Sequence, residues 1–327
     1  MSQAQATSNT AELFVGIDVA KNALDVHVLP SGQELHVDTN DDPHLESFAA
    51  ALKALPGKIA LVVMESTGGY QAPMAAALHE AGLPVVVVRA NMVRSFAQAL
   101  GQLAKNDRID ARMIALYAER MRPPLRPLPD QHERELRELM ARRRQLLGMI
   151  VQEKNRRDKM HTKDVIKSIE KTLLLLERQL AAIDKALDDA VGGSPLWVER
   201  EELLRTVPGV GPVVARTLLI NLPELGTLTN KQTTSLAGLA PVAADSGKRT
   251  GKRPVWGGRA AVREALFMGT ISAVKHNPVI KVFYERLLAA GKAKKLALIA
   301  CARKLLTILN AMARTKKTCR TFLQLLR

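Results

Sequence analysis

Apolar positions along the chain follow two regimes. Up to about residue 125 they form short dense runs separated by turn residues; beyond it they recur every three or four positions over long stretches. In the first regime Leu13–Val19, Ala23–Leu29 and Gln33–Thr39 read as three short strands, with Pro30-Ser31-Gly32 turning between the last two. Asp42 caps a helix that starts at Pro43, runs to about Leu55 and is stopped by Pro56-Gly57. Ile59–Met64 is a buried strand ending at Glu65, and Ser66-Thr67-Gly68-Gly69 opens a helix through Ala81. Leu83–Val88 is apolar throughout, as in a parallel strand covered on both faces. Helices over Asn91–Ala104 and Ile109–Met121 complete the region. A three-strand meander, then alternating helix and strand, then helices, predicts an α/β domain with a mixed sheet.

Pro123, Pro124, Pro127 and Pro129 mark the exit from this domain. From Gln131 to about Val191 no proline interrupts the chain. Ile166, Ile169, Leu173, Leu176, Leu180, Ile183 and Leu187 alternate by three and four, a heptad seam, and Leu136, Leu139, Leu146, Ile150 and Met160 precede it in the same register. Two long helices hinged near His161–Lys163 follow, able to form an antiparallel hairpin or to pair with another subunit. Gly192-Gly193-Ser194-Pro195 breaks the coil. Leu203–Ala215 then reads as helix, a turn through Pro208-Gly209-Val210-Gly211, and helix, resembling the helix-hairpin-helix motif, in which Gly209 and Gly211 let backbone amides approach a phosphate. An ordinary tight helix–helix turn fits the same residues. A short helix ends at Gly238, a basic loop follows, and helices resume over Arg259–Ala273, from Asn277-Pro278 to Ala290, and over Lys292–Ala313. The expected domains are 1–128, 129–195 and 196–327.

Charge changes this picture most. The formal net charge is +16, but residues 1–125 carry −3, 126–200 carry +3 and 201–327 carry +16. The excess therefore lies in the last third and points to a polyanion held there. Two cysteines, Cys301 and Cys319, allow neither a disulfide framework nor a structural zinc site. The polar first ten residues and the lack of any apolar run of membrane-spanning length predict a soluble intracellular protein. Few aromatics argue against an extended base-stacking platform.

Four carboxylates carry the candidate chemistry. Asp18 and Glu65 end two core strands, and Asp107 and Asp110, three apart at the start of a helix, share one face. Singly, each has a structural explanation as a cap, dipole partner or surface charge. Gathered on a mixed sheet and a facing helix, they would repel unless cations lay between them, and their oxygens suit Mg²⁺ or Mn²⁺.

The order Asp18, Glu65, Asp107, Asp110 resembles the D-E-D-D set of RuvC-like, RNase H-fold nucleases. Gly16-Ile17-Asp18-Val19-Ala20-Lys21, Met64-Glu65-Ser66-Thr67-Gly68, Lys105-Asn106-Asp107-Arg108-Ile109-Asp110-Ala111, and Gly238-Leu239-Ala240-Pro241 followed by Asp245-Ser246-Gly247 resemble the DEDD-serine transposases of insertion sequences. These recombinases are related to Piv-type invertases and guided by a bridge RNA; the likeness spans roughly 13–315. It implies a RuvC-like first domain, a coiled-coil region and an all-α transposase domain. It further implies Mg²⁺ held by the four carboxylates, Ser246 as a nucleophile forming a phosphoserine link to DNA, and base pairing of a guide RNA with donor and target DNA. The implied assembly is a homo-oligomer, dimer to tetramer, with no membrane association, in the bacterial cytoplasm at the nucleoid. Lys105, Arg108, Lys248, Arg249, Lys252, Arg253 and Arg259, with Gly209 and Gly211, are the candidate nucleic-acid contacts. No histidine near Ser246 in sequence could activate it. Two other readings stand beside this one: a metal-dependent junction-resolving nuclease, and a non-catalytic nucleic-acid-binding assembly protein.

Overall fold

The structure, a computed structural model, describes residues 11–37, 42–66, 68–102, 107–125, 128–243 and 253–319, with only the backbone of Asp42, Pro43, Asp107 and Arg108. It divides into two compact units, Met1–Leu128 and Pro129–Arg327.

The first unit is a five-stranded mixed sheet with helices on both faces. β1 (Glu12–Val19), β2 (Leu24–Leu29) and β3 (Gln33–Val37) form the meander, and β4 (Lys58–Ser66) and β5 (Val85–Arg89) extend it in the order β3-β2-β1-β4-β5. β1 pairs antiparallel with β2 and parallel with β4. It is thus central, which is why its sequence is apolar on both faces. On one face Val15, Ile17, Val62 and Met64 pack against α1 (Asp42–Lys53) and α2 (Gln71–Glu80). On the other, Phe14, Leu61, Val63 and Val88 pack against α3 (Ala90–Ala99) and α4 (Asp107–Met121). The predicted ends of the third strand (to Thr39) and of the Asn91–Ala104 helix fall outside the described residues.

The second unit is helical. α5 (Gln131–Arg157) and α6 (Lys163–Gly192) form an antiparallel hairpin within the chain. Arg143 Nε donates to Asp184 Oδ1 at 2.6 Å and Lys154 lies 3.4 Å from Glu177, so residues advancing on one helix meet residues receding on the other. The seam leucines Leu146, Leu173 and Leu176 are buried between them with Ile150. At the open end Leu136, Leu187 and Val191 share a cluster with Trp197 of α7 (Pro195–Arg205) and Ile220 of α8 (Pro212–Asn221), which ties the hairpin into the same compact unit as the remaining helices. Those are α9 (Asn230–Leu236), α10 (Ala260–His276), α11 (Pro278–Ala289) and α12 (Lys294–Thr315).

α12 corrects one expectation. It has the length and apolar composition of a membrane span, whereas the apolar pattern of the sequence predicts no such run. Cys301, Leu305, Leu306 and Leu309 on it are buried in the core of the second unit, so its apolarity is that of a central core helix.

Candidate active site

The first unit brings the two strand carboxylates side by side. Phe14 pairs with Leu61, Gly16 with Val63 and Ile17 with Met64, so one residue further along, Asp18 neighbours Glu65 at the carboxyl ends of two parallel strands. Alternation puts both on the face that packs against α3 and α4. Such strand ends are where open α/β sheets take ligands.

Gly16 brings α4 to the same place. A Cβ at Gly16 would lie 2.2 Å from Ala115 N and 2.3 Å from Ala111 O, so the backbone of α4 rests directly on β1 at a position only glycine can occupy. Asp110 precedes Ala111, and Asp107 opens the same helix one turn earlier. Asp18 lies two residues beyond Gly16, ~7 Å along the strand. Glu65 and Asp110 together line a cavity of about 310 Å³, with Asn91, Arg94 and Gln98 of α3 and Met113 of α4. Asp18, Glu65 and Asp110 are partly buried. Among the described residues no three His, Cys, Asp or Glu side chains already gather as a metal-holding group; the side chain of Asp107 lies outside them. The donors that converge here are hard carboxylate oxygens, the set that suits Mg²⁺ or Mn²⁺ over softer metals.

The sequence did not single out Asp25, which stands directly across from Asp18 in the β1–β2 register and accepts from His36 Nδ1 at 2.8 Å. It also passed over the α3 stripe; strand alternation and helical spacing were the available signals.

The second unit holds the other sequence candidates. Ser246, Lys248, Arg249 and Lys252 lie outside the described residues, as does Lys105 in the first unit; of Arg108 only the backbone is described. What is described is the base of the serine stretch. Pro241 and Val255 form an antiparallel bridge and Val242 N donates to Pro254 O at 3.0 Å, tying its two ends together. Arg259 N reaches Leu236 O at 2.7 Å beneath it. Arg253 is exposed beside this base, and Trp256 projects from it with 69% of its surface accessible.

Two expected nucleic-acid contacts have work inside the fold. Arg259 holds Glu224 through both guanidinium nitrogens, at 2.5 and 2.7 Å, and also donates to Asn221 O at 2.9 Å. That engagement gives Arg259 a structural role within the second unit. Gly209 adopts φ +98°, and a Cβ there would sit 2.6 Å from Ala273 Cα, so its glycine is required by packing of the α7–α8 turn on α10. At Gly211 a Cβ would meet nothing within 4 Å. This turn borders a groove of about 690 Å³ whose rim arginines are paired: Arg143 with Asp184, Arg144 with Glu264, Arg205 with Glu201.

Comparison with known proteins agrees over both units. A family model described as transposase, of the IS110 DEDD type, matches residues 15–162, and one described as transposase of the IS116/IS110/IS902 family matches residues 201–285. The pilin gene-inverting protein of Moraxella bovis is 27% identical over 320 residues, 94% of this chain and 97% of its own length. The 43.6 kDa protein of insertion element IS110 from Streptomyces coelicolor is 29% identical over 153 residues, 46% of this chain and 36% of its own. A RuvC chain from a T. thermophilus complex with a Holliday junction covers 36% of this chain and 100% of its own, at 18% identity and TM-score 0.28, an overlap too loose to define the fold.

The protein is thus an enzyme of DNA transposition and recombination. It belongs to the DEDD transposase family of the IS110/IS116/IS902 insertion elements.

Proposed function

We propose that the chain cuts and rejoins DNA strands through a phosphoserine intermediate, with divalent metal held by Asp18, Glu65, Asp107 and Asp110 and Ser246 as nucleophile. The observation that carries the metal half is the convergence of Asp18, Glu65 and the first turn of α4 on one sheet face, forced by the backbone contact at Gly16. Mg²⁺ or Mn²⁺ bound there would stabilise charge on the phosphoryl oxygens in transit. Asp18, Glu65, Asp107 and Asp110 would hold and position the ion. In the covalent step Ser246 Oγ attacks phosphorus and forms a P–O bond, the bond to the 3′ oxygen breaks, and that oxygen leaves as a 3′ hydroxyl carrying a proton while serine loses its own. Rejoining reverses the sequence, with a 3′ hydroxyl of another strand displacing Ser246. Lys248, Arg249, Lys252 and Arg253 supply positive charge to the pentavalent phosphate.

The reading requires Ser246 of the second unit to meet the carboxylates of the first, in one chain or across a homo-oligomer of two to four copies. Its partners are donor and target DNA and a guide RNA whose base pairing selects both, with the reaction in the bacterial cytoplasm at the nucleoid. The test is strand cleavage of the element's own DNA by purified protein with Mg²⁺ and the element's non-coding transcript. Glu65→Gln and Asp110→Asn should abolish cleavage and leave DNA retention in place. Cleavage unchanged in both variants would sink the metal assignment and favour a binding and assembly role.

A further inference from the structure

We infer that α3 supplies a phosphate subsite to the carboxylate cavity, with Arg94 at its centre and Asn91 and Gln98 on either side. The inference rests on the reading above and adds to it what holds the DNA strand at the metal.

α3 buries Val93 against the sheet and turns Asn91, Arg94 and Gln98 outward at i, i+3 and i+7, one continuous stripe. That stripe lines the cavity shared with Glu65 and Asp110. Arg94 is exposed, and among the described residues its guanidinium makes no hydrogen bond or ion pair. The contrast with other arginines is informative: Arg143, Arg216 and Arg259 are each locked to a carboxylate. An arginine that shares a cavity with two carboxylates and pairs with neither leaves room for something between them. A hydrated divalent ion alone would be repelled by the guanidinium. A phosphodiester bound with that ion satisfies both walls, its cation toward the carboxylates and its non-bridging oxygens toward the planar fork of the arginine. Asn91 and Gln98 add neutral amide donors. A cavity of about 310 Å³ corresponds to roughly ten waters, suited to a phosphate with a solvated ion.

The test uses the full-length chain with a pentadeoxynucleotide and Mn²⁺. Calorimetry first measures Mn²⁺ alone, then the pentamer in its presence. Arg94→Gln should leave Mn²⁺ affinity unchanged and weaken the pentamer about tenfold or more, with Arg94→Lys intermediate because it keeps charge and loses the fork. Thermal unfolding should be the same in all three, since among the described residues Arg94 is exposed and makes no hydrogen bond or ion pair. A pentamer with a methylphosphonate at its central linkage should bind equally to wild type and Arg94→Gln. Unaltered pentamer affinity in Arg94→Gln, or a loss confined to an RNA pentamer of the same sequence, would overturn the subsite. Absence of Mn²⁺ binding in the wild type would instead overturn the carboxylate reading on which it rests, and Glu65→Gln, which should lose both ligands, separates the two failures.

Discussion

The contact at Gly16 makes a sharp prediction, because a single methyl group there tests how the catalytic carboxylates are brought together. In Gly16→Ala the new Cβ would stand 2.2 Å from Ala115 N and 2.3 Å from Ala111 O, where ordinary contact begins at 3.4 Å. α4 must therefore retreat by roughly 1.2 Å, the difference between 3.4 and 2.2 Å. Both obstructing atoms are backbone, so no side-chain rotation relieves the clash, and the cost should be about 3 kcal/mol or more, the upper part of the overpacking range. The same retreat moves Asp107 and Asp110 away from Asp18 and Glu65. A displacement of ~1 Å at a reacting centre can cost about a hundredfold in rate. Urea unfolding followed by circular dichroism reads the first effect, and single-turnover DNA cleavage in Mg²⁺ reads the second. Gly148→Ala is the control: it lies within α5, a Cβ there meets nothing within 4 Å, and the substitution should stabilise by about 0.5–1 kcal/mol. If Gly16→Ala unfolds within about 0.5 kcal/mol of wild type and cleaves at the wild-type rate, the packing of α4 on β1 is wrong.

Three other outcomes follow from the structure. Glu201 is 3% exposed and accepts from Arg216 at 2.8 Å, so Glu201→Ala should cost about 3 kcal/mol, whereas Arg144→Ala, losing an exposed pair with Glu264, should cost under about 1 kcal/mol; similar losses in urea titrations would contradict the burial. His27 is buried with its pKa lowered from 6.5 by burial, against the raising influence of Glu34 and with a further lowering by Arg112. The unfolded chain therefore takes up the proton first, stability should fall as pH drops below about 6.5, and His27→Gln should flatten that part of the pH profile of the urea midpoint. Burial pushes the Cys301 thiol up to about 11 and raises that of Cys319, so Ellman's reagent at mildly alkaline pH should label neither until denaturant is added; rapid labelling of Cys301 in the native protein would remove α12 from the core.

Much of the first unit was legible because its apolar runs are dense and its turns carry proline and glycine. Asp18 and Glu65 stood out as charges ending runs that otherwise belong in a core, and the parallel register then made them neighbours. The heptad seam announced two long helices but not their partner, since leucines pack alike within and between chains. The meeting of Arg143 with Asp184 and Lys154 with Glu177, with Leu146 and Ile150 packed on Leu173 and Leu176, shows the hairpin. The structural pairing of Arg259 was not legible because Glu224, its partner, lies 35 residues away in sequence. Gly209 read as an opening for phosphate, and the neighbour that needs it small is Ala273 on α10. Arg94 was invisible for the opposite reason: an arginine on the polar side of an amphipathic helix looks like any solvated face until the cavity beside it is known.

The central claim joins the carboxylates of the first unit to a serine of the second, and peptide mapping of a trapped covalent complex tests it most directly. End-labelled DNA of the element would be incubated with protein, Mg²⁺ and transcript, denatured, digested with nuclease and protease, and the nucleotide-bearing peptide sequenced by mass spectrometry. The account predicts a nucleotide on Ser246, absent in Ser246→Ala and in Asp18→Asn. Cleaved DNA with protein-free ends, or an adduct that persists in Ser246→Ala, would contradict it.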